Sequence, residues 1–360
     1  MTQPLRLDLV VIARDEAPRI ERLLRSVAPW VDAMWLLDTG STDATPALAA
    51  ACGAQVRHLP WPHDFSAARN AALDLSDADW HLVLDADEWL IDGGPALAAL
   101  RHTEPGFVGA VHFHDRFIAP AADPTATPQA VNGWLSRVLP GRLRYEGRIH
   151  EQVVHTLPVR RLAVRIGHDG YLPERLQAKR GRNRPLLEAA LAAAPDDAYL
   201  WFQLGKDCSV YAEHAAAETA YARALQFGGA SQVWGHELVV RRLHGLKALQ
   251  RHAEGMDFAD RQLQACIDVP DFFFTLGDLL LDLAAGQPAR GAELLPLIEA
   301  AWTRCLEIGE RPDLSGCVAG RGSHLAAHNL ALLLDLTGRT AEAQALRQAH
   351  GGAASHPVAR

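Results

Sequence analysis

Several absences bound this chain before any motif is read. It has no run of about 18 apolar residues and no charged-then-apolar leader. Neither a membrane span nor a secretory signal is therefore expected, and the expected location is the cytoplasm. Cysteine is sparse. Cys52, Cys208, Cys266, Cys305 and Cys317 are odd in number, scattered and never spaced Cys-x-x-Cys. That pattern suits a reducing compartment and argues against both a disulfide framework and structural zinc. Basic charge is also in deficit, with 35 Lys+Arg against 43 Asp+Glu and a net charge of −8, which argues against nucleic acid as a general partner.

What is present is ordinary globular composition, 49% hydrophobic and 22% charged, over 360 residues, enough for two domains with separate cores. The charge is unevenly spread. Between Arg137 and Arg184 there are twelve Lys/Arg and four Asp/Glu, a basic excess suited either to an anionic ligand such as a diphosphate or to a solvated basic face.

The first hundred residues alternate short β-prone runs with helical ones, the pattern of a parallel sheet with crossover helices. Strands are expected at Leu7–Ala13, Ala33–Leu37 and Gln55–Leu59, with a fourth running into Asp85. Helices are expected from about Glu16 to Val27, from a Ser41 or Thr42 cap to Cys52, and over Phe65–Leu75 behind an Asp64 cap. Residues 107–118 and 134–166 are β-rich, separated by a Pro/Ala/Thr loop from Ala119 to Pro128. After about Pro173 the β signal stops and Ala- and Leu-rich helical periodicity takes over. There Trp201, Leu204, Gly205, Ala217, Tyr221 and Ala224 fall at the spacing of a tetratricopeptide hairpin, with looser copies at Leu276-Gly277-Leu280 and at Leu330-Ala331, Leu334, Gly338 and Ala343. The expected division is 1–173, a connecting helix 174–194, a helical repeat domain 195–350 and a flexible tail 351–360.

Four polar clusters sit where strands end. Arg14-Asp15-Glu16 follows the first strand, and Asp38-Thr39-Gly40-Ser41-Thr42-Asp43 follows the second. Asp64-Phe65-Ser66-Ala67-Ala68-Arg69-Asn70 opens the helix before the fourth strand, whose end delivers Asp85, Asp87 and Glu88. Open α/β sheets bind ligands in the crevice beyond the carboxyl ends of their strands. Carboxylates there are hard oxygen ligands for Mg²⁺ or Mn²⁺, ions that usually arrive with substrate phosphates. Taken alone, the acidic tip reads equally well as a solvated turn.

The order and spacing of all four clusters resemble glycosyltransferase family 2, whose members have the GT-A nucleotide-sugar fold, an α/β Rossmann-like mixed sheet. The resemblance continues through Trp134-Leu135-Ser136-Arg137, Tyr145 to Gln152 and His168-Asp169-Gly170-Tyr171, then reaches Lys179 and Arg182-Asn183 before the repeats. That arrangement is similar to the branch with C-terminal tetratricopeptide repeats, which includes peptide S-glycosyltransferases acting on sublancin-type bacteriocins. The resemblance implies a metal-dependent, inverting transfer of a hexose from a nucleoside diphosphate such as UDP. It implies Asp87 and His168 as ligands of Mn²⁺ or Mg²⁺, and Glu151 as general base with His150 as neighbour or substitute. It also implies Arg14, Glu16, Asp38, Arg69, Asp85, Arg137, Lys179 and Arg182 as nucleotide-sugar contacts, with Glu88 structural; from its place on the helix Arg69 equally suits a salt bridge to Asp85. The expected acceptor is a Cys or Ser/Thr side chain of a peptide or protein held by the repeats. The alternatives are a cell-envelope glycan or lipid-linked acceptor, and a non-catalytic repeat scaffold. A homodimer is compatible with repeats of this kind.

Overall fold

The computed structural model describes residues 4–117, 129–171 and 181–350. The chain divides into two units, Met1–Ala190 and Leu191–Arg360. The loop Ala119–Pro128, Lys179 and the tail 351–360 lie outside the described residues, as does the start of the expected connecting helix.

In the first unit the apolar runs become strands that bury both faces, as parallel strands between helices must. Leu7–Ala13 (β1) lies between Ala33–Asp38 (β2) and Trp80–Asp85 (β4), parallel to both, and Gln55–His58 (β3) extends the parallel set beyond β2. The connecting helices are α1 (Ile20–Val27), α2 (Thr45–Ala51) and α3 (Phe65–Leu73), followed by a short α4 (Gly94–Ala98). Alternation along β1 divides the core. Leu7, Leu9, Val11 and Ala13 pack with Ile20, Leu23, Leu24 and Val27 of α1, whereas Val10 packs with Ala72 and Leu73 of α3. Each side chain fully withdrawn from water in this way contributes roughly 1.5–3 kcal/mol.

The sheet becomes mixed past β4. Gln129–Pro140 (β7) pairs antiparallel with β4 and with Val108–Phe117 (β6), Val159–Tyr171 (β10) runs parallel to β6, and Glu88–Asp92 (β5) closes the edge against β10. The strand order is β3-β2-β1-β4-β7-β6-β10-β5. A small hairpin of Tyr145–Glu146 (β8) and Gln152–Val153 (β9) stands apart from it. Ala86 and Asp87 form the turn between β4 and β5, so three carboxylates gather at the sheet's crevice end.

Two helix starts differ from the sequence expectation. The first helix begins at Ile20 rather than near Glu16, because Asp15 takes a left-handed backbone (φ 54°) and accepts the Thr42 amide at 2.7 Å and the Thr42 hydroxyl at 3.1 Å. Neither Ser41 nor Thr42 then caps the second helix. Its first amide, Thr45, donates instead to Asp43 at 2.9 Å. Asp64 does cap the third, accepting the Ala67 amide at 2.9 Å.

The chain leaves the first unit through α5 (Arg184–Ala193). The second unit is helical among its described residues. Four successive helical pairs form it: Ala198–Val210 with His214–Gln226 (α6, α7), Gly235–Ala248 with His252–Gln262 (α8, α9), Pro270–Gly286 with Gly291–Ile308 (α10, α11), and His324–Leu336 with Thr340–His350 (α12, α13). Small residues set how closely partners approach. A Cβ on Gly205 would lie 2.3 Å from the Tyr221 ring, and one on Gly277 would lie 2.5 Å from the Trp302 indole nitrogen. A first-helix glycine against a second-helix aromatic thus recurs in two hairpins, as the repeat spacing anticipated. The α8–α9 pair has no clear counterpart in the sequence pattern.

Candidate active site

The acidic tip is built from its own backbone outward. The Asp85 amide donates to Glu88 Oε2 at 2.9 Å, which closes the β4–β5 turn and draws Glu88 inward until it is 3% exposed. A carboxylate so placed needs a counter-charge. Arg137 of β7 supplies it, donating from Nη2 to Glu88 Oε1 at 2.6 Å and to Asp85 Oδ2 at 3.0 Å. Arg69 of α3 takes the other oxygen, Nη2 to Asp85 Oδ1 at 2.8 Å, while its Nε donates to Glu151 Oε1. Phe113 and Tyr145 lie against the guanidiniums, 5.3 Å below Arg137 and 5.5 Å below Arg69.

Electrostatics follow from this wiring. Burial works against the charge on Asp85, but Arg69 and Arg137 outweigh it and hold the carboxyl well below the usual range. Glu88 is deeper, and burial, only partly offset by Arg137, pushes its carboxyl upward. Burial also opposes the two guanidinium charges, yet the surrounding carboxylates raise both further, so they stay ionised. Arg69 Nη1 and Arg137 Nε are buried without a hydrogen-bond partner among the described residues.

Asp87 sits in the turn itself, 6% exposed, and the register of β5 against β10 brings His168 opposite Glu88. His168 Nε2 thereby comes to 3.5 Å from Asp87 Oδ2. Among the described residues no group of three His, Cys, Asp or Glu side chains is arranged to hold a metal by itself. A carboxylate and an imidazole form a partial donor set, the kind that fits an ion completed by substrate phosphates and water.

Glu151 arrives on the hairpin loop between β8 and β9. That loop is fastened to α3 at three points: the Phe65 amide donates to the Arg148 carbonyl at 2.9 Å, Asn70 Nδ2 donates to the Tyr145 carbonyl at 2.9 Å, and the Tyr145 amide donates to Asn70 Oδ1 at 2.8 Å. His150, next to Glu151, has φ 51°, and Gly147 has φ 97°. A left-handed histidine is a local strain that the surrounding bonds must hold.

At the tip of β2, Asp38 accepts the Gly40 amide at 3.3 Å and the Ser41 amide at 3.2 Å, with His58 Nδ1 3.1 Å from Oδ2. Burial opposes ionisation there, and those hydrogen bonds prevail and lower the carboxyl. Asp38 is thus committed in part to its own turn. His58, its register partner at the end of β3, is the polar tip residue that the sequence reading passed over. Aligning strand ends, rather than searching for motifs, would have found it.

The remaining expected contacts are more dispersed. Arg14 is half exposed, with Nε 3.7 Å from Asp15. The Glu16 amide donates to Thr45 Oγ1 at 2.8 Å, and its carboxylate faces Arg19. Arg182 lies 5.8 Å over the Phe65 ring at the start of α3. Lys179 is outside the described residues.

The family model described as "Glycosyl transferase family 2" matches residues 8–124, the stretch that contains β1 to β4 and the acidic tip. A TPR repeat-containing protein of Synechococcus elongatus is 34% identical over 280 residues, covering 73% of this chain and 66% of that protein. The prophage-derived glycosyltransferase SunS of Bacillus subtilis is 24% identical over 210 residues, covering 55% of this chain and 48% of SunS. This chain thus spans about two thirds of the first relative and about half of the second. A crystal structure of glucosyl-3-phosphoglycerate synthase from Mycobacterium tuberculosis with Mn²⁺ and UDP is 27% identical over 31% of this chain and 44% of that one, with a TM-score of 0.26. No helix among the described residues is long and apolar enough to cross a membrane. Residues 8–124 form a glycosyl transferase family 2 domain of GT-A fold, followed in this chain by tetratricopeptide-like helical hairpins.

Proposed function

We propose that this chain is a metal-dependent, inverting glycosyltransferase that moves a hexose from a nucleoside diphosphate to a side chain of a peptide or protein. The observation that carries the reading is the meeting of Asp85, Asp87, Glu151 and His168 at one end of the sheet, drawn from three separate segments of chain.

Asp87 and His168 would hold a divalent ion, with diphosphate oxygens and water completing its shell. When bound, the ion offsets the charge that develops on the leaving diphosphate. Asp85, fixed on both sides by arginine yet still a third exposed, presents its open edge toward the ribose side. Arg137, expected at the diphosphate, and Arg69, expected at Asp85 or a phosphate, are both turned onto carboxylates and serve to organise them. Glu151 removes the acceptor's proton, which inversion at the anomeric carbon requires.

The helical unit supports a macromolecular acceptor. The first helix of each of its hairpins carries charged or polar groups, among them Lys206, Arg241, Lys247, Asp282 and Asn329, several cross-linked as in Lys247–Asp282 at 3.4 Å. Stacked hairpins present such groups along an extended surface. The test is UDP release from UDP-glucose and other nucleotide sugars in the presence of Mn²⁺. The wild-type chain releases UDP and Asp87→Ala does not. Absence of release from every common nucleotide sugar would contradict the proposal.

A further inference from the structure

We infer that Arg69 is the positioning residue for Glu151, orienting the acceptor-side carboxylate from the same guanidinium that orients the donor-side Asp85. This rests on the transferase reading above; of the two partners expected for Arg69, Asp85 or a phosphate, Arg69 takes the carboxylate, and Glu151 is an addition to both.

The geometry leaves Arg69 little freedom to do anything else. It is 6% exposed, its Nε is committed to Glu151 and its Nη2 to Asp85, so one rigid fork serves both carboxylates. The remaining nitrogen, Nη1, is buried. Asp85 and Glu151 come from segments 66 positions apart (151 − 85), so no local turn relates them, and Arg69 bridges the two side chains directly.

The loop that bears Glu151 depends on such a bridge. Its backbone is held to α3 through Phe65 and Asn70, but those bonds fix Tyr145 and Arg148, not the carboxylate itself. Between Arg148 and Glu151 the chain passes through the left-handed His150, so the Glu151 side chain is aimed by a strained backbone and by Arg69. With Oε1 accepting from Arg69, Oε2 is the oxygen presented to an acceptor. Lysine at this position would offer both carboxylates one mobile nitrogen in place of two fixed N–H vectors, so it would not hold Glu151 in the same orientation. Sequence reading offered the Asp85 pairing beside a phosphate contact, but not the Glu151 partner, which only the fold brings to Arg69.

The experiment uses the full chain and compares Arg69→Lys, Glu151→Gln and the double variant. The readouts are the kcat and KM of UDP-glucose hydrolysis with Mn²⁺ and amide exchange over residues 148–152. Glu151→Gln should lower kcat by about 100-fold or more. Arg69→Lys should lower kcat by at least about tenfold with the donor KM changed less than about threefold, since Asp85 keeps its bond to Arg137 whereas Glu151 loses the guanidinium that aims it. The double variant should fall within about threefold of Glu151→Gln, because a positioning residue has nothing left to position. Losses that multiply in the double variant, or an Arg69→Lys effect that appears in KM, would overturn the inference. Exchange over 148–152 should quicken by about tenfold in Arg69→Lys, and unchanged exchange would also overturn it. That readout does not need turnover. A wild-type chain that hydrolyses no nucleotide sugar refutes the transferase reading, while the exchange comparison still decides whether Arg69 holds the loop.

Discussion

Replacing Arg137 with methionine tests the wiring of the site at its most buried point. The guanidinium is 9% exposed and is the side-chain counter-charge of Glu88, while Asp85 retains Arg69 when Arg137 is gone. Removing one partner of a buried ion pair leaves the other without compensation and costs roughly 3–5 kcal/mol. In a domain of this size each kcal/mol moves the melting temperature by about 2–4 °C, so the first unit should melt roughly 6–20 °C lower. The assay is thermal unfolding at about pH 9, above the value of about 8 to which burial pushes Glu88, so that its carboxyl is ionised; Glu88→Gln supplies the control. An amide at that position still accepts the Asp85 amide but carries no charge, so the Arg137→Met, Glu88→Gln double variant should recover part of the loss. A drop of less than about 2 °C in the single variant would refute the claim that Arg137 neutralises a buried carboxylate. So would a double variant whose loss is the sum of the two single losses.

Two further outcomes follow from other parts of the chain. His81 is fully buried in β4, and burial lowers its ring from 6.5 to about 4. As pH falls the unfolded chain therefore takes the proton first. The first unit has its full stability above about pH 6.5 and loses up to about 3 kcal/mol on going down to about pH 4. His81→Leu should flatten that dependence in urea midpoints measured at about pH 7.5 and about pH 4.5, and equal slopes for both proteins would contradict the assignment. In the second unit, Gly205→Ala drives a methyl to 2.3 Å from the Tyr221 ring and should cost about 1–3 kcal/mol. A Cβ on the helical Gly245 meets nothing within 4 Å, so Gly245→Ala should be neutral or stabilise by about 0.5–1 kcal/mol. Denaturant unfolding compares the two, and similar effects would show that close helix approach is not what the glycine at 205 provides.

Much of this was legible in the sequence, because the signals were local. β1 and β4 announce themselves as apolar runs buried at nearly every position, and Asp64 caps α3 with the bond that its position suggested. Tyr221 against Gly205 was foreseeable, because hairpin spacing alone sets the two helices face to face. What was not legible depends on strands that meet only after folding. Arg137 looks like a basic residue in a basic segment until β7 pairs with β4 and lays it over Glu88. His58 becomes a neighbour of Asp38 only through the β2–β3 register. Thr42 has the chemistry of a cap, and the tertiary bond to Asp15 diverts it from that role.

The central claim is that the turn between β4 and β5, with His168 beside it, is a site for a divalent ion and a diphosphate together. Calorimetric titration of UDP into the full chain, with Mn²⁺ and then with excess chelator, tests it most directly. The account predicts binding that requires the metal and is lost in both Asp87→Ala and His168→Ala, with folding of each variant confirmed by circular dichroism. UDP binding of equal strength under chelation, or undiminished in Asp87→Ala, would contradict it.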